Sequence, residues 1–145
     1  MRDFFKSYGV LFAWFVSIIA TLGSLFFSEI MHYEPCKLCW LQRICMYPLT
    51  IILGYAALKE DRKIATPGVL LAVVGFLIAG YHYAGQKIAS IGRVLPCEAG
   101  VPCSVDYINW LGFITIPLLS LTAFVLILAL LFLSRDPEKL AKAIL

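Results

Sequence analysis

Four long apolar runs divide this chain, at residues 8–27, 40–58, 68–84 and 111–133. A helix crosses the hydrocarbon core of a bilayer with about 20 apolar residues. The runs therefore predict an all-α fold, a four-transmembrane-helix bundle forming a single integral membrane domain over residues 1–145. Composition agrees: 61% of residues are hydrophobic and 14% charged, against roughly a quarter charged in soluble domains. The net charge of +3 is small, and no basic stripe is interleaved with aromatics, which argues against nucleic acid as a partner. The lipid bilayer is the first partner implied. The first run is too long for the apolar segment of a signal peptide and lacks a small-residue cleavage site followed by a polar segment.

Orientation follows from the basic residues, which favour the cytoplasmic side. Arg2, Lys6, Lys59, Arg62, Lys63, Arg135, Lys139 and Lys142 fall on one side, and Lys37, Arg43, Lys87 and Arg93 on the other. Both termini are thus expected inside the cell, with two cysteine-bearing loops outside. Trp40, Tyr107 and Trp110 suit the membrane interface. Gly75, Ala79, Gly80 and Ala84 give the third run a small-residue surface for close helix packing, and Pro117 is expected to bend the fourth.

Four of the five cysteines form two close pairs, Cys36/Cys39 and Cys97/Cys103. The fifth, Cys45, lies off the stripe that the first pair makes with Arg43 and is expected to be a buried apolar filler. Pro35 halts any helix before Cys36 and starts the next. A thiolate at a helix start is stabilised by free N–H groups and the helix dipole. Cys36, Cys39 and Arg43 share a face that Tyr47 and Thr50 continue. An arginine inside a membrane helix either snorkels to the interface or meets a partner. Here that partner is either the Cys39 thiolate or the carbonyl of an apolar cofactor in the membrane, such as a quinone.

Cys97 and Cys103 bracket a short turn with Gly100 and Pro102. A bridge closing so short a loop adds little stability, and strained or exposed bridges are the exchangeable ones. Ile88, Ile91, Val94 and Leu95 recur near helical spacing and suggest a segment on the membrane surface. Three readings of the four cysteines stand: a structural staple, a four-cysteine zinc site in a membrane scaffold, or a relay passing a disulfide by thiolate attack. An outward-facing, oxidising location favours the relay. His82, near the outer end of the third run with Gln86 one turn on, is either an interfacial aromatic or a proton-handling group.

"PCKLCWLQR", the four-run layout and "PCEAGVPCS" on the same face resemble the DsbB family of disulfide bond formation proteins. The compact second cysteine loop and "GFITIP" resemble its Gram-positive BdbC-type branch. The resemblance implies a quinone-dependent protein-disulfide oxidoreductase in the plasma membrane of a bacterium. Such a protein reoxidises an extracytoplasmic thioredoxin-like thiol oxidase and uses menaquinone or ubiquinone as electron acceptor. Carried over, Cys97 is attacked by the partner's thiolate and Cys103 exchanges with Cys36. Cys39 becomes the thiolate that passes electrons to quinone, Arg43 polarises the quinone, and His82 lies near its ring. The best-studied members have a much longer second loop, so the order of attack within Cys97/Cys103 is left open. The similar bundle of the vitamin K epoxide reductase family, with electrons running the other way, stands as the alternative.

Overall fold

The structure is a computed structural model, and it describes residues 1–92, 111–112 and 114–134. These residues form α1 (Arg2–Leu25), a π-helical turn (Phe26–Ile30), α2 (Lys37–Lys59), α3 (Thr66–Lys87), the short α4 (Ala89–Gly92) and α5 (Ile116–Ser134). No strand occurs among the described residues. Four of the helices are long and apolar enough to cross a membrane, over Lys6–Ile30, Lys37–Lys59, Thr66–Lys87 and Ile116–Ser134. The protein is a multi-pass membrane protein.

The long helices make a square bundle in which α1 and α3 each pack on both α2 and α5. Its exterior is apolar: Ile19, Ile51, Leu58 and Leu70 are all well exposed. In water that would be untenable, and in lipid it is the required surface. With no hydrophobic drive between helices in lipid, close approach through small residues holds such a bundle together. The buried stripe of α3 runs Gly68, Ala72, Gly75, Ala79, His82 and Gly85 at spacings of three or four. Phe124 of α5 is fully buried, and a Cβ placed on Gly75 would lie 2.3 Å from its ring. Several polar groups inside the bundle find partners. Thr21 and Thr50 share a hydrogen bond at 3.1 Å between α1 and α2. Ser17 and Ser134 donate back to the carbonyls of Trp14 and Leu131 within their own helices.

Two features depart from the sequence reading. The fourth helix begins at Ile116 rather than at residue 111, because Leu111 and Gly112 both have positive φ and break a helix there. Pro117 consequently sits in the first turn of α5, where no N–H is needed, and it does not bend the span. Among the described residues, the proline in a helix interior is Pro48 of α2.

The bundle has chemically distinct ends. Lys59 closes α2, the turn after it carries Arg62 and Lys63, and Arg62 donates to the Lys6 carbonyl near the start of α1. The Cys36 end of α2 lies 23 helical residues away, about 34 Å at 1.5 Å per residue.

Candidate active site

Pro35 holds the chain extended, and Cys36 becomes the N-cap of α2 with φ −71° and ψ 174°. Its carbonyl accepts the first helical hydrogen bond, from the Trp40 N–H at 3.1 Å. Cys39 follows one turn on, which sets the two sulfurs 3.3 Å apart as free thiols. A disulfide needs about 2.05 Å, so small side-chain rotations suffice to close or open the bond.

The third group arrives from α3. His82 occupies the position after Ala79 on the buried stripe and is 1% exposed. Its Nε2 lies 3.7 Å from Cys36 Sγ. Its Nδ1 lies 3.1 Å from the side-chain Nε2 of Gln42, which is also buried. An amide nitrogen only donates, so Nδ1 accepts and the ring proton sits on Nε2, facing the cysteine. Sγ of Cys36, Sγ of Cys39 and a ring nitrogen of His82 all lie within 4.8 Å of one another.

Either sulfur can carry the proton of a half-ionised pair. The imidazole stands beside Cys36, which therefore takes the charge. Cys36 also lies just before the first residue of the spanning helix. Hydrogen bonding from the Cys39 thiol is the largest influence and lowers its pKa. Burial opposes this, while His82 and the Cys39 backbone lower it further, and Cys36 is held down to about 4. Its reduced form is thus a thiolate at neutral pH.

A cavity of about 450 Å³ opens beside the pair, walled by all four long helices. Ala20 and Gly23 of α1, Phe27 of the π-helical turn, Ala123 and Leu126 of α5, and Met46 of α2 make it largely apolar. Cys36, Cys39, Arg43 and His82 all line it. Arg43 is half-buried. Its Nη2 donates to the Ser24 carbonyl at 3.0 Å, and its guanidinium carbon lies 5.5 Å from the centre of the Trp40 ring. Ser24 lies just before the π-helical turn, a widening often found at functional sites. Two further hydroxyls in this wall, Tyr47 OH and Thr115 Oγ1, are buried and have no hydrogen-bond partner among the described residues. A buried hydroxyl is costly to leave unpaired, so both suit a ligand bearing acceptors.

The expected site residues Cys36, Cys39 and His82 are therefore brought together, with Arg43 on the same cavity. Cys97 and Cys103 lie outside the described residues, as do Tyr107 and Trp110. Cys45 is buried in the bundle core with Met46 and Leu49. Gln42 was not anticipated from the sequence, nor were Tyr47 and Thr115 as ligand-facing hydroxyls. Gln42 had a signal: it is an amide on a helix face with buried Leu38, Cys45 and Leu49.

Comparison with known proteins bears on this geometry. Residues 6–134 match the family "Disulfide bond formation protein DsbB". The chain is 50% identical over 126 residues to "Disulfide bond formation protein C" of Bacillus subtilis (strain 168), covering 87% of this chain and 91% of that protein. It is 45% identical over 122 residues to a "Probable disulfide formation protein" of Oceanobacillus iheyensis, covering 83% and 84%. It is 44% identical over 119 residues to a protein so described in Coxiella burnetii (strain Dugway 5J108-111), covering 81% of each. No solved structure matches. A thiol pair at a helix start within a four-span bundle, together with these matches, places the chain in the DsbB family of disulfide bond formation proteins.

Proposed function

We propose that this protein reoxidises an extracytoplasmic thioredoxin-like thiol oxidase and delivers the electrons to a membrane quinone, menaquinone or ubiquinone. It works in the bacterial plasma membrane with its cysteine end outside and both termini in the cytoplasm. The observation that carries this reading is the Cys36/Cys39 pair opening onto an apolar cavity within a membrane bundle. The fit to a quinone rests on that cavity's apolar walls, the Arg43 guanidinium and the two unpartnered hydroxyls of Tyr47 and Thr115. A bound quinone supplies an acceptor for two electrons and two protons.

The chain's own residues divide the remaining work. A partner thiolate attacks the Cys97–Cys103 disulfide, and the partner leaves with its disulfide formed while Cys97 and Cys103 become a dithiol. Cys103 then attacks the Cys36–Cys39 disulfide at Cys36, and the bond passes outward by thiol–disulfide exchange. With Cys36 engaged, Cys39 is the remaining sulfur of the pair, and it shares the cavity with Arg43. Arg43 stabilises negative charge on that side. Its remaining N–H groups can bind a carbonyl oxygen without releasing Ser24. His82 holds a proton at Nε2 beside Cys36, and Gln42 keeps it there.

Purified protein in lipid, given quinone and a reduced thioredoxin-like partner, tests the reading. Cys39→Ser is expected to abolish quinone reduction while the Cys97–Cys103 disulfide still oxidises one partner per chain. Normal turnover in that variant contradicts the assignment.

A further inference from the structure

The cluster that handles the disulfide also has the composition of a metal centre. We propose that the reduced pair Cys36/Cys39 and His82 form a three-ligand site for a thiophilic d¹⁰ cation of the zinc class. On this view the cation occupies the dithiol state alone and arrests the enzyme there.

Donor spacing, charge balance and the outer shell all fit such an ion, none of them through a quinone. The first is geometric. A tetrahedral zinc with sulfur at about 2.3 Å and nitrogen at about 2.0–2.1 Å separates its ligand atoms by about 3.6–3.8 Å. The two sulfurs are 3.3 Å apart, Cys36 Sγ and His82 Nε2 are 3.7 Å apart, and all three donor atoms fit within 4.8 Å. The first two separations differ from the tetrahedral values by no more than about half an ångström, and rotation of the Cys39 side chain brings the third to the same spacing.

The second argument is charge. Two thiolates and a neutral imidazole cancel a divalent cation, so the filled site carries no net charge. That matters where Cys36 and His82 are both buried, because an unbalanced ion there is strongly penalised. Soft sulfur donors select the zinc class over magnesium or calcium, which take oxygen ligands.

The third is the outer shell. A ligating histidine uses its other ring N–H to donate to a carbonyl or carboxylate. Gln42 already lies 3.1 Å from His82 Nδ1. Turning its amide over presents Oε1 to an Nδ1–H and leaves the Nε2 lone pair for the metal. The fourth coordination position faces the cavity, giving two cysteines, one histidine and an open site.

The proton and bond balance is simple. Binding forms two metal–sulfur bonds and one metal–nitrogen bond, and any protons still on the thiols leave to solvent. No electrons move. The disulfide form offers no thiolate and so no site. By linkage, an ion that binds only the dithiol holds the protein reduced and withholds both sulfurs from exchange. This differs from a four-cysteine zinc scaffold, since Cys97 and Cys103 contribute nothing to it.

The full chain in detergent, reduced and desalted without oxygen, is titrated with Cd²⁺ while thiolate-to-metal charge-transfer absorbance is recorded. One ion per chain is expected in the reduced protein and none after oxidation. The Cys97→Ser/Cys103→Ser variant is expected to bind as tightly as the parent. Loss of a ligand in His82→Ala should weaken binding by at least about 10-fold, with Gln42→Ala weakening it about 10-fold. Equal affinity in His82→Ala and the parent overturns the site, leaving simple dithiol chelation. Loss of binding without Cys97 and Cys103 also overturns it. Should His82→Ala misfold, X-ray absorption on the zinc-loaded parent decides. Two sulfurs and a nitrogen in the first shell support the site, and an all-sulfur shell refutes it.

Discussion

Cys36 concentrates the chemistry of the site because four influences meet at one sulfur: the Cys39 thiol, the Cys39 backbone, the His82 ring and burial. The net effect is a thiol held down to about 4, against an ordinary value near 8.5. Only the thiolate reacts with alkylating agents. In the reduced protein, iodoacetamide modification of Cys36 is therefore expected to be flat from neutral pH down to about 5 and to fall as pH drops through about 4. Mass-spectrometric peptide mapping across that range checks it. In Cys39→Ala the strongest stabilising contact is gone, so the fall is expected at distinctly higher pH. An unchanged profile would show that the Cys39 hydrogen bond is not the cause. Gln42 acts at one remove, as a positioning residue that fixes the His82 tautomer. Gln42→Ala should slow turnover about 10-fold while helicity stays intact, and the pH dependence of turnover should change with it. A rate loss with an unaltered pH profile would point to a packing defect instead.

At the scale of elements, much of the site was legible in advance. Pro35 before Cys36 marked the start of α2, and the spacing of Cys36, Cys39 and Arg43 put them along one side of it. The depth of His82 was also legible, since it continues the buried Gly75–Ala79 spacing of α3. Gln42 is not legible from the cysteine stripe, which it does not share. The helix instead has a half-buried seam at Cys39, Arg43, Tyr47 and Thr50 beside a fully buried one at Leu38, Gln42, Cys45 and Leu49. Nothing local to the sequence pairs His82 with Cys36, which is 46 residues away. That contact depends on which helices become neighbours, and the square order of the bundle decides it. Helix contacts of this kind are testable. A methyl group on Gly75 would lie 2.3 Å from Phe124, so Gly75→Ala should destabilise the bundle by about 1–3 kcal/mol. Thermal unfolding in detergent measures the loss. Phe124→Leu, introduced into Gly75→Ala, should recover part of it. Additive destabilisation would mean that the two residues do not meet.

For the whole molecule, the account depends on polarity across the membrane. The basic turn after α2 and the thiol pair before it lie at opposite ends of one helix, so fixing either end fixes the other. A single cysteine introduced at Glu60 in an otherwise cysteine-free chain should resist a membrane-impermeant maleimide in intact cells and react after permeabilisation. Labelling without permeabilisation would reverse the orientation and leave the thiol pair in a reducing compartment. The central claim is that oxidation in water is coupled to reduction in lipid. Stopped-flow mixing of oxidised, quinone-loaded protein with a reduced thioredoxin-like partner tests it directly, with quinone absorbance and partner disulfide followed together. The account predicts that once the preformed disulfides are spent one quinone is reduced for each further partner disulfide, and that in Cys39→Ser the quinone signal is lost and partner oxidation stops after the Cys97–Cys103 exchange. Partner oxidation that continues past the preformed disulfides with no change in the quinone signal would contradict it.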